Sequence, residues 1–173
     1  MAMIFGLSLS GFTTLHVILS LIGIVAGVVV AFGMLGARRL PGWTALFLLT
    51  TVLTSVTGFM FPFTRLLPSH VFGIISLIAL AVAVLAYYVF HLEGLWRWLY
   101  ILSAMLALYL NAFVGVVQAF QKLAFLAPLA PTQSELPFVV TQLALLVLCL
   151  ALGGLALRSF HPTQLATQRA ATP

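Results

Sequence analysis

Residues 12–35, FTTLHVILSLIGIVAGVVVAFGML, are the stretch of sequence that decides the fold. The run contains no charged side chain, and its few polar residues lie in its first half. About 20 apolar residues are enough to cross the hydrocarbon core of a bilayer as a helix. The run therefore predicts a membrane-spanning helix.

Four further apolar runs follow it along the chain. They cover about residues 43–63, 68–91, 95–120 and 136–158, and proline, glycine or charged residues separate them. Each is about as long as a bilayer is thick. The sequence thus predicts an all-α, polytopic membrane protein: a five-transmembrane-helix bundle that forms a single domain over residues 1–158. Residues 159–173 are predicted to be a short polar C-terminal tail.

The composition excludes most other classes of protein. The chain has 173 residues, of which 64% are hydrophobic and 5% charged, whereas a soluble domain has about 25% charged residues. Its net charge of +5 comes from basic residues that stand singly or in pairs at the ends of apolar runs. That placement is typical of topology signals and headgroup contacts. We expect membrane lipids as partners and no binding of nucleic acid, which needs a basic stripe.

The basic residues also predict an orientation. In a five-span chain, five of them fall on one side of the membrane and two on the other, which favours an N-terminus outside and a C-terminus inside. Three tryptophans and a tyrosine gather at the predicted inner interface, as an aromatic belt does. The five are Arg38, Arg39, Arg97, Arg158 and Arg169, the two are Arg65 and Lys122, and the aromatic residues are Trp43, Trp96, Trp98 and Tyr100.

Small residues define one face of the first predicted helix. Gly23, Gly27 and Ala31 recur at four-residue spacing, a pattern that lets helices approach closely in lipid. We expect this face to pack within the monomer, because four other helices are available to it. Continued toward the N-terminus, the same face passes Ser20 and His16, so His16 is predicted to point into the bundle.

Polar side chains gather in the outer half of the predicted bundle. A polar group in hydrocarbon is costly and suggests a function. His16 lies about one turn below the outer surface, and His70 begins the third helix at the same surface. The predicted binding residues are His16, Arg65, His70, Gly73, Asn111, Gln118 and Gln142.

One interpretation of this set is a haem b site. His16 and His70, from different helices at similar depth, would be the two axial ligands, since helical bundles commonly hold haem in membranes. Gly73 would let the flat macrocycle approach the backbone, and Arg65 would pair with a propionate.

Three other interpretations of the same residues remain open. In a quinone site, histidine and the carboxamides of Asn111, Gln118 or Gln142 would bind the carbonyl oxygens. In a zinc or copper site, His16 and His70 would need Glu135 or water as further ligands. In the simplest interpretation, the polar groups only form hydrogen bonds between helices.

The remaining chemistry is sparse. The chain has no GxSxG, HExxH, P-loop or CxxC motif, and its only carboxylates, Glu93 and Glu135, lie in loops predicted on opposite sides. We therefore expect no enzyme. The lone Cys149 sits in an apolar run and is expected to serve packing. An oligomeric channel would place Asn111, Gly115 and Gln118 along a pore.

Two stretches are similar to a family of small proteobacterial inner-membrane proteins. They are TSVTGFMFPFTRLLPSHVFGIISL (residues 54–77) and LYLNAFVGVVQAFQKLAFLAPLAPTQSELPF (residues 108–138). The resemblance implies a bacterial inner membrane and five spans, and it carries over neither an activity nor site residues. Taken together, the sequence predicts a haem b or quinone module, as an accessory part of a larger membrane redox complex or a homo-oligomer. The alternatives are a structural subunit without cofactor and an oligomeric small-solute channel.

Overall fold

The computed structural model describes residues 3–4, 6–61 and 68–162, and these residues form a helical bundle. A short antiparallel pairing of β1 (Met3–Ile4) with β2 (Leu7–Ser8) precedes the first helix. The helices are α1 (Leu9–Leu35), α2 (Pro41–Gly58), α3 (Pro68–Val84), α4 (Leu95–Lys122) and α5 (Leu136–Ser159). A π-helical turn (Leu85–Val89) extends α3, and a 3₁₀ turn (Ala127–Leu129) lies between α4 and α5. The predicted all-α class is confirmed.

Four of the helical segments are long and apolar enough to cross a membrane: Leu9–Leu35, His70–Val89, Leu95–Lys122 and Leu136–Ser159. They agree with the predicted first, third, fourth and fifth spans to within a few residues. A multi-pass membrane protein is the architecture that these segments indicate.

The second predicted span differs most from the structure. Helix α2 has 18 residues, several of them threonine, and it ends at Gly58 instead of near residue 63. Proline has no N–H, so Pro62 could not donate to the Gly58 carbonyl in a continued helix, and its ring would crowd that oxygen. The helix therefore ends one turn before the proline.

Helices α1 to α4 form a ring in which each packs against the next and α4 packs back on α1. Helix α5 lies outside this ring, against α1 and α4. The small-residue face of α1 makes the closest of these contacts. A Cβ added at Gly27 would lie 2.7 Å from Leu108 Cδ1 and 2.8 Å from Phe47 Cε2. The predicted packing of this face within the monomer is confirmed.

One end of the bundle is held together by arginine side chains and carbonyl groups. Arg39 donates to the His91 carbonyl at 2.6 Å, and Arg97 donates to the Phe160 carbonyl at 2.8 Å. The Ser159 hydroxyl donates to the Met34 carbonyl at 3.2 Å, which joins α5 to α1. We call this end, which also holds Arg38 and Arg158, the arginine end.

The first residues of the predicted polar tail, which was expected to begin at residue 159, are part of the bundle. Phe160 is 1% exposed and packs near the Tyr100 ring, with 6.1 Å between ring centroids. Because Arg97 holds the Phe160 carbonyl, the first residues of the predicted tail belong to the bundle. Residues 163–173 lie outside the described part of the chain.

Candidate functional site

A cavity of about 370 Å³ lies between α1, α2, α3 and α4, in the half of the bundle away from the arginine end. Its walls are mostly apolar, and each of the four helices adds polar side chains to them. This volume is within the range of small-molecule sites. The polar lining residues are His16, Ser20, Thr54, Ser55, His70, Ser76, Asn111 and Gln118.

The His16 ring is fixed by a threonine on the neighbouring helix. His16 Nδ1 lies 2.8 Å from Thr57 Oγ1, and the same hydroxyl lies 2.7 Å from the Leu53 carbonyl. A hydroxyl has one proton. When Thr57 gives that proton to the Leu53 carbonyl, it accepts from the Nδ1–H group of His16, and in the neutral form of the ring Nε2 is then the unprotonated nitrogen. Phe61 packs edge-on against this ring, at 5.3 Å between centroids.

His70 lines the same cavity from the first turn of α3. Its side chain is buried, and its ring packs at a tilt against Phe59 with centroids 5.6 Å apart. The Phe59 ring also covers Gly73, because a Cβ added there would lie 2.9 Å from Phe59 Cζ. Gly73 does line the cavity, but in the structure the Phe59 ring occupies the space beside it through which the macrocycle was expected to approach the backbone.

A polar contact between α1 and α4 forms the base of the cavity. The Ser20 hydroxyl donates to Asn111 Oδ1 at 2.8 Å, and Asn111 Nδ2 donates to the Ser20 carbonyl at 3.3 Å. One turn further along α1, a Cβ added at Gly23 would lie 2.9 Å from Thr51 Oγ1 and 3.0 Å from Asn111 Nδ2. The glycine therefore lets polar groups of α2 and α4 approach the α1 backbone.

Gln118 stands on the same face of α4 as Asn111, two turns nearer the helix end. It lines the cavity and is partly exposed. Among the described residues, no hydrogen bond engages its carboxamide. Its oxygen and its two N–H groups are therefore available to a ligand.

Of the predicted binding residues in the described part of the chain, Gln142 is not brought to the cavity. Gln142 lies on α5, where its Nε2 donates to the Phe113 carbonyl of α4 at 3.2 Å, and it does not line the cavity. Its Oε1 is buried and finds no partner among the described residues. Gln142 thus makes the interhelical contact of the simplest interpretation. Arg65 lies outside the described residues.

The structure also adds side chains that the sequence prediction did not include. Ser55 of α2 donates to Ser76 of α3 at 3.2 Å, and both line the cavity. Ser76 follows His70 and Gly73 at three-residue steps, a helical period that the sequence already contained. Phe59 carries no such signal, because an aromatic residue in an apolar run is ordinary.

The metal interpretation lacks ligands. Within the described residues, no three His, Cys, Asp or Glu side chains lie close enough together to hold a metal ion. Protein zinc sites use three or four such ligands. The suggestion that Glu135 completes a site with His16 and His70 is wrong, because Glu135 folds onto its own loop. Its carboxylate accepts from the Thr132 hydroxyl at 2.8 Å and from the Ser134 backbone N–H at 3.1 Å.

Comparison with protein-family models, with curated proteins and with solved structures finds no match to this chain.

Proposed function

We propose that the cavity binds a lipid-soluble molecule with a flat, oxygen-bearing ring, of the quinone class. The observation that carries this proposal is that one mostly apolar cavity of about 370 Å³ contains both His16 and the unengaged carboxamide of Gln118. Apolar walls with a few convergent polar groups are typical of such sites.

The two polar groups have complementary roles toward such a ring. The Nε2 atom of His16 accepts a hydrogen bond, which suits the hydroxyl of a quinol. The Gln118 carboxamide both donates and accepts, so it suits either a quinone carbonyl or a quinol hydroxyl. The site would therefore accept both redox forms, as the binding part of a membrane redox complex requires.

Haem b is the second candidate, and one specific observation favours it. The imidazoles that bind metals commonly donate their second N–H group to a protein acceptor, which fixes the ring. The hydrogen bond from His16 Nδ1 to Thr57 has that form, and His70 lines the same cavity. Haem would also need the Phe59 ring to move from its place over Gly73, which makes it the weaker candidate.

We further propose that all five helices span a bacterial inner membrane, with the N-terminus outside and the cavity in the periplasmic half. Helix α2 rises about 27 Å over its 18 residues, close to the hydrocarbon thickness of about 30 Å. The clustering of Arg38, Arg39, Arg97 and Arg158 at one end supports this orientation through the positive-inside rule. Cysteine labelling from the two sides of the membrane at Lys122 and Arg38 tests it.

The test of the binding proposal has two parts. The protein is purified in mild detergent, and its oxidised and dithionite-reduced absorption spectra are compared with a quinone analysis of its extracted lipids. Binding of a decyl-substituted benzoquinone is then measured for the wild-type protein, Gln118→Leu and Gln142→Leu. Both variants replace a glutamine by leucine, but Gln118 lines the cavity and Gln142 does not.

We expect a flat visible spectrum, co-purified quinone, and binding that Gln118→Leu weakens while Gln142→Leu does not. A Soret band that His16→Ala removes would instead establish the haem alternative. If neither quinone nor haem binds, the binding proposal fails, and the structural subunit and the oligomeric channel are the alternatives left.

A further inference from the structure

The walls of the cavity are not equally exposed. On α2 and α3, every lining residue is buried or partly buried, whereas Val17 and Leu21 on α1 are 37% and 56% exposed although they line the cavity. Leu123, just after α4, lines it and is 44% exposed. Among the described lining residues, exposure is therefore confined to α1 and the end of α4.

The other three seams between neighbouring helices are closed by side-chain contacts at the level of the cavity. His16 binds Thr57 between α1 and α2, Ser55 binds Ser76 between α2 and α3, and between α3 and α4 the Phe72 and Phe113 rings pack with centroids 5.1 Å apart. These contacts involve polar or aromatic groups that would have to separate before a ligand could pass.

At the seam between α1 and α4, side-chain contacts close the lower edge of the cavity. The Ser20–Asn111 hydrogen bonds and the contact of Gly115 with Ile24, whose Cδ1 would lie 3.3 Å from a Cβ at residue 115, define this lower edge. Above that edge, apolar side chains of α1 border both the cavity and the outside of the bundle. Helix α5 also packs against α1 and α4, but Val17 and Leu21 stay exposed with α5 in place, and in a membrane an exposed apolar side chain faces lipid.

From this we infer that the ligand is a tailed amphiphile, whose ring lies in the cavity and whose hydrocarbon tail passes between α1 and α4 into the bilayer. The inference rests on the proposed function and names the form of its ligand and its route of entry. The polar groups would bind the ring, and Val17 and Leu21 would contact the tail. If the ligand had no tail, the apolar side chains of Val17 and Leu21 would have no part of the ligand to contact.

The test uses a benzoquinone whose alkyl tail carries a photoreactive diazirine close to the ring. The full-length protein in lipid nanodiscs is irradiated with the probe, with and without excess unlabelled decyl-benzoquinone, and the labelled peptides are mapped by mass spectrometry. We expect the probe to label α1 around residues 17–21 and α4 around residues 114–123, and we expect the competitor to remove this label.

Two tryptophan variants check the route. Leu21→Trp places a bulky ring in the seam, and Val25→Trp makes the same kind of change one turn away, at a site that is 59% exposed and does not line the cavity. Leu21→Trp should lose the competable label, and Val25→Trp should keep it. Elution as a single species and an unchanged thermal unfolding transition show that each variant is folded.

The outcomes separate the two proposals. Competable label on α2 and α3 instead of α1 and α4, or full labelling of Leu21→Trp, overturns the tail route and leaves quinone binding in place. Label that the competitor does not remove at any position overturns both, because the probe then reports only contact with bulk lipid.

Discussion

The Ser20 hydroxyl donates to Asn111 Oδ1 across 2.8 Å, and this bond joins α1 to α4 directly beneath the cavity. It is reinforced by the return bond from Asn111 Nδ2 to the Ser20 carbonyl. These two residues lie far apart in sequence, so their contact fixes how the first and fourth helices meet. It also sets the lower edge of the seam between them.

We expect a double-mutant cycle of Ser20→Ala and Asn111→Ala to give a coupling energy of about 0.6 kcal/mol and at most about 1.7 kcal/mol, the range measured for hydrogen bonds between membrane helices. The cycle isolates the hydroxyl bond, since Ser20→Ala keeps the carbonyl that accepts from Asn111. Unfolding in mixed detergent micelles provides the free energies. Strictly additive effects would show that the bond contributes nothing to the α1–α4 contact.

Thr57 is predicted to act on the ligand through His16, because it holds the ring without lining the cavity itself. Thr57→Val keeps the shape of the side chain but removes the acceptor for Nδ1–H. The loss of one such bond is worth about 0.5–1.5 kcal/mol, so quinone affinity should fall by up to about tenfold.

Two further variants separate this role from a structural one. Thr57→Ser should restore quinone affinity, because it restores the hydroxyl. Thr141→Val removes a hydroxyl that bonds only within its own helix and should leave quinone affinity unchanged. Equal binding by the wild-type protein and Thr57→Val would contradict the positioning role.

Gly27 of α1 is predicted to tolerate a methyl group poorly. Its added Cβ would lie within 3 Å of Leu108 on α4 and of Phe47 on α2. Overpacking of this kind costs about 1–3 kcal/mol, so Gly27→Ala should lower the free energy of unfolding by that amount. Gly154→Ala is the matched control, since a Cβ at that glycine of α5 would meet nothing within 4 Å. Equal stability of the two variants would contradict the close packing of α1.

Helical periodicity was enough to predict which side chains of a single helix share a face. The four-residue step from Gly27 through Gly23 led back toward His16, and the structure has His16 on the cavity wall. The steps from Asn111 to Gly115 and Gln118 likewise predicted one face of α4, and all three residues line the cavity. Such predictions depend only on the geometry of one helix.

Periodicity could not predict how the helices are ordered around the bundle. Gln142 has the same chemistry and a similar predicted depth as Gln118, but α5 lies outside the ring, so Gln142 meets the Phe113 carbonyl instead of the cavity. The sequence also could not predict that the Phe59 ring lies over Gly73, because this position depends on where α2 ends and how α2 meets α3. Both are properties of contacts between helices, which a single sequence does not specify.

The loop before α5 should respond to acid through Glu135. Burial would raise the pKa of this carboxyl, but hydrogen bonds from the Thr132 hydroxyl and from backbone N–H groups of the loop outweigh that effect and hold the pKa below its ordinary value of 4.5. A carboxyl whose pKa is lowered by folding stabilises the folded state above its unfolded pKa, and this contribution is lost as the pH falls through the folded value. Glu135→Gln should therefore unfold more readily than the wild-type protein near neutral pH, and the difference should vanish in acid.

The mechanism can be checked at the loop itself. Thr132→Val removes the hydroxyl that donates to Glu135 at 2.8 Å, so it should move the pKa of Glu135 back toward 4.5 in a carboxyl NMR titration. The carboxylate also accepts from the backbone N–H groups of Thr132 and Ser134, which remain in this variant, so part of the lowering should persist. An unchanged pKa of Glu135 in Thr132→Val would mean that the backbone N–H groups alone lower this pKa. The stability difference of Glu135→Gln would then have to come from the ordering of the loop at the start of α5.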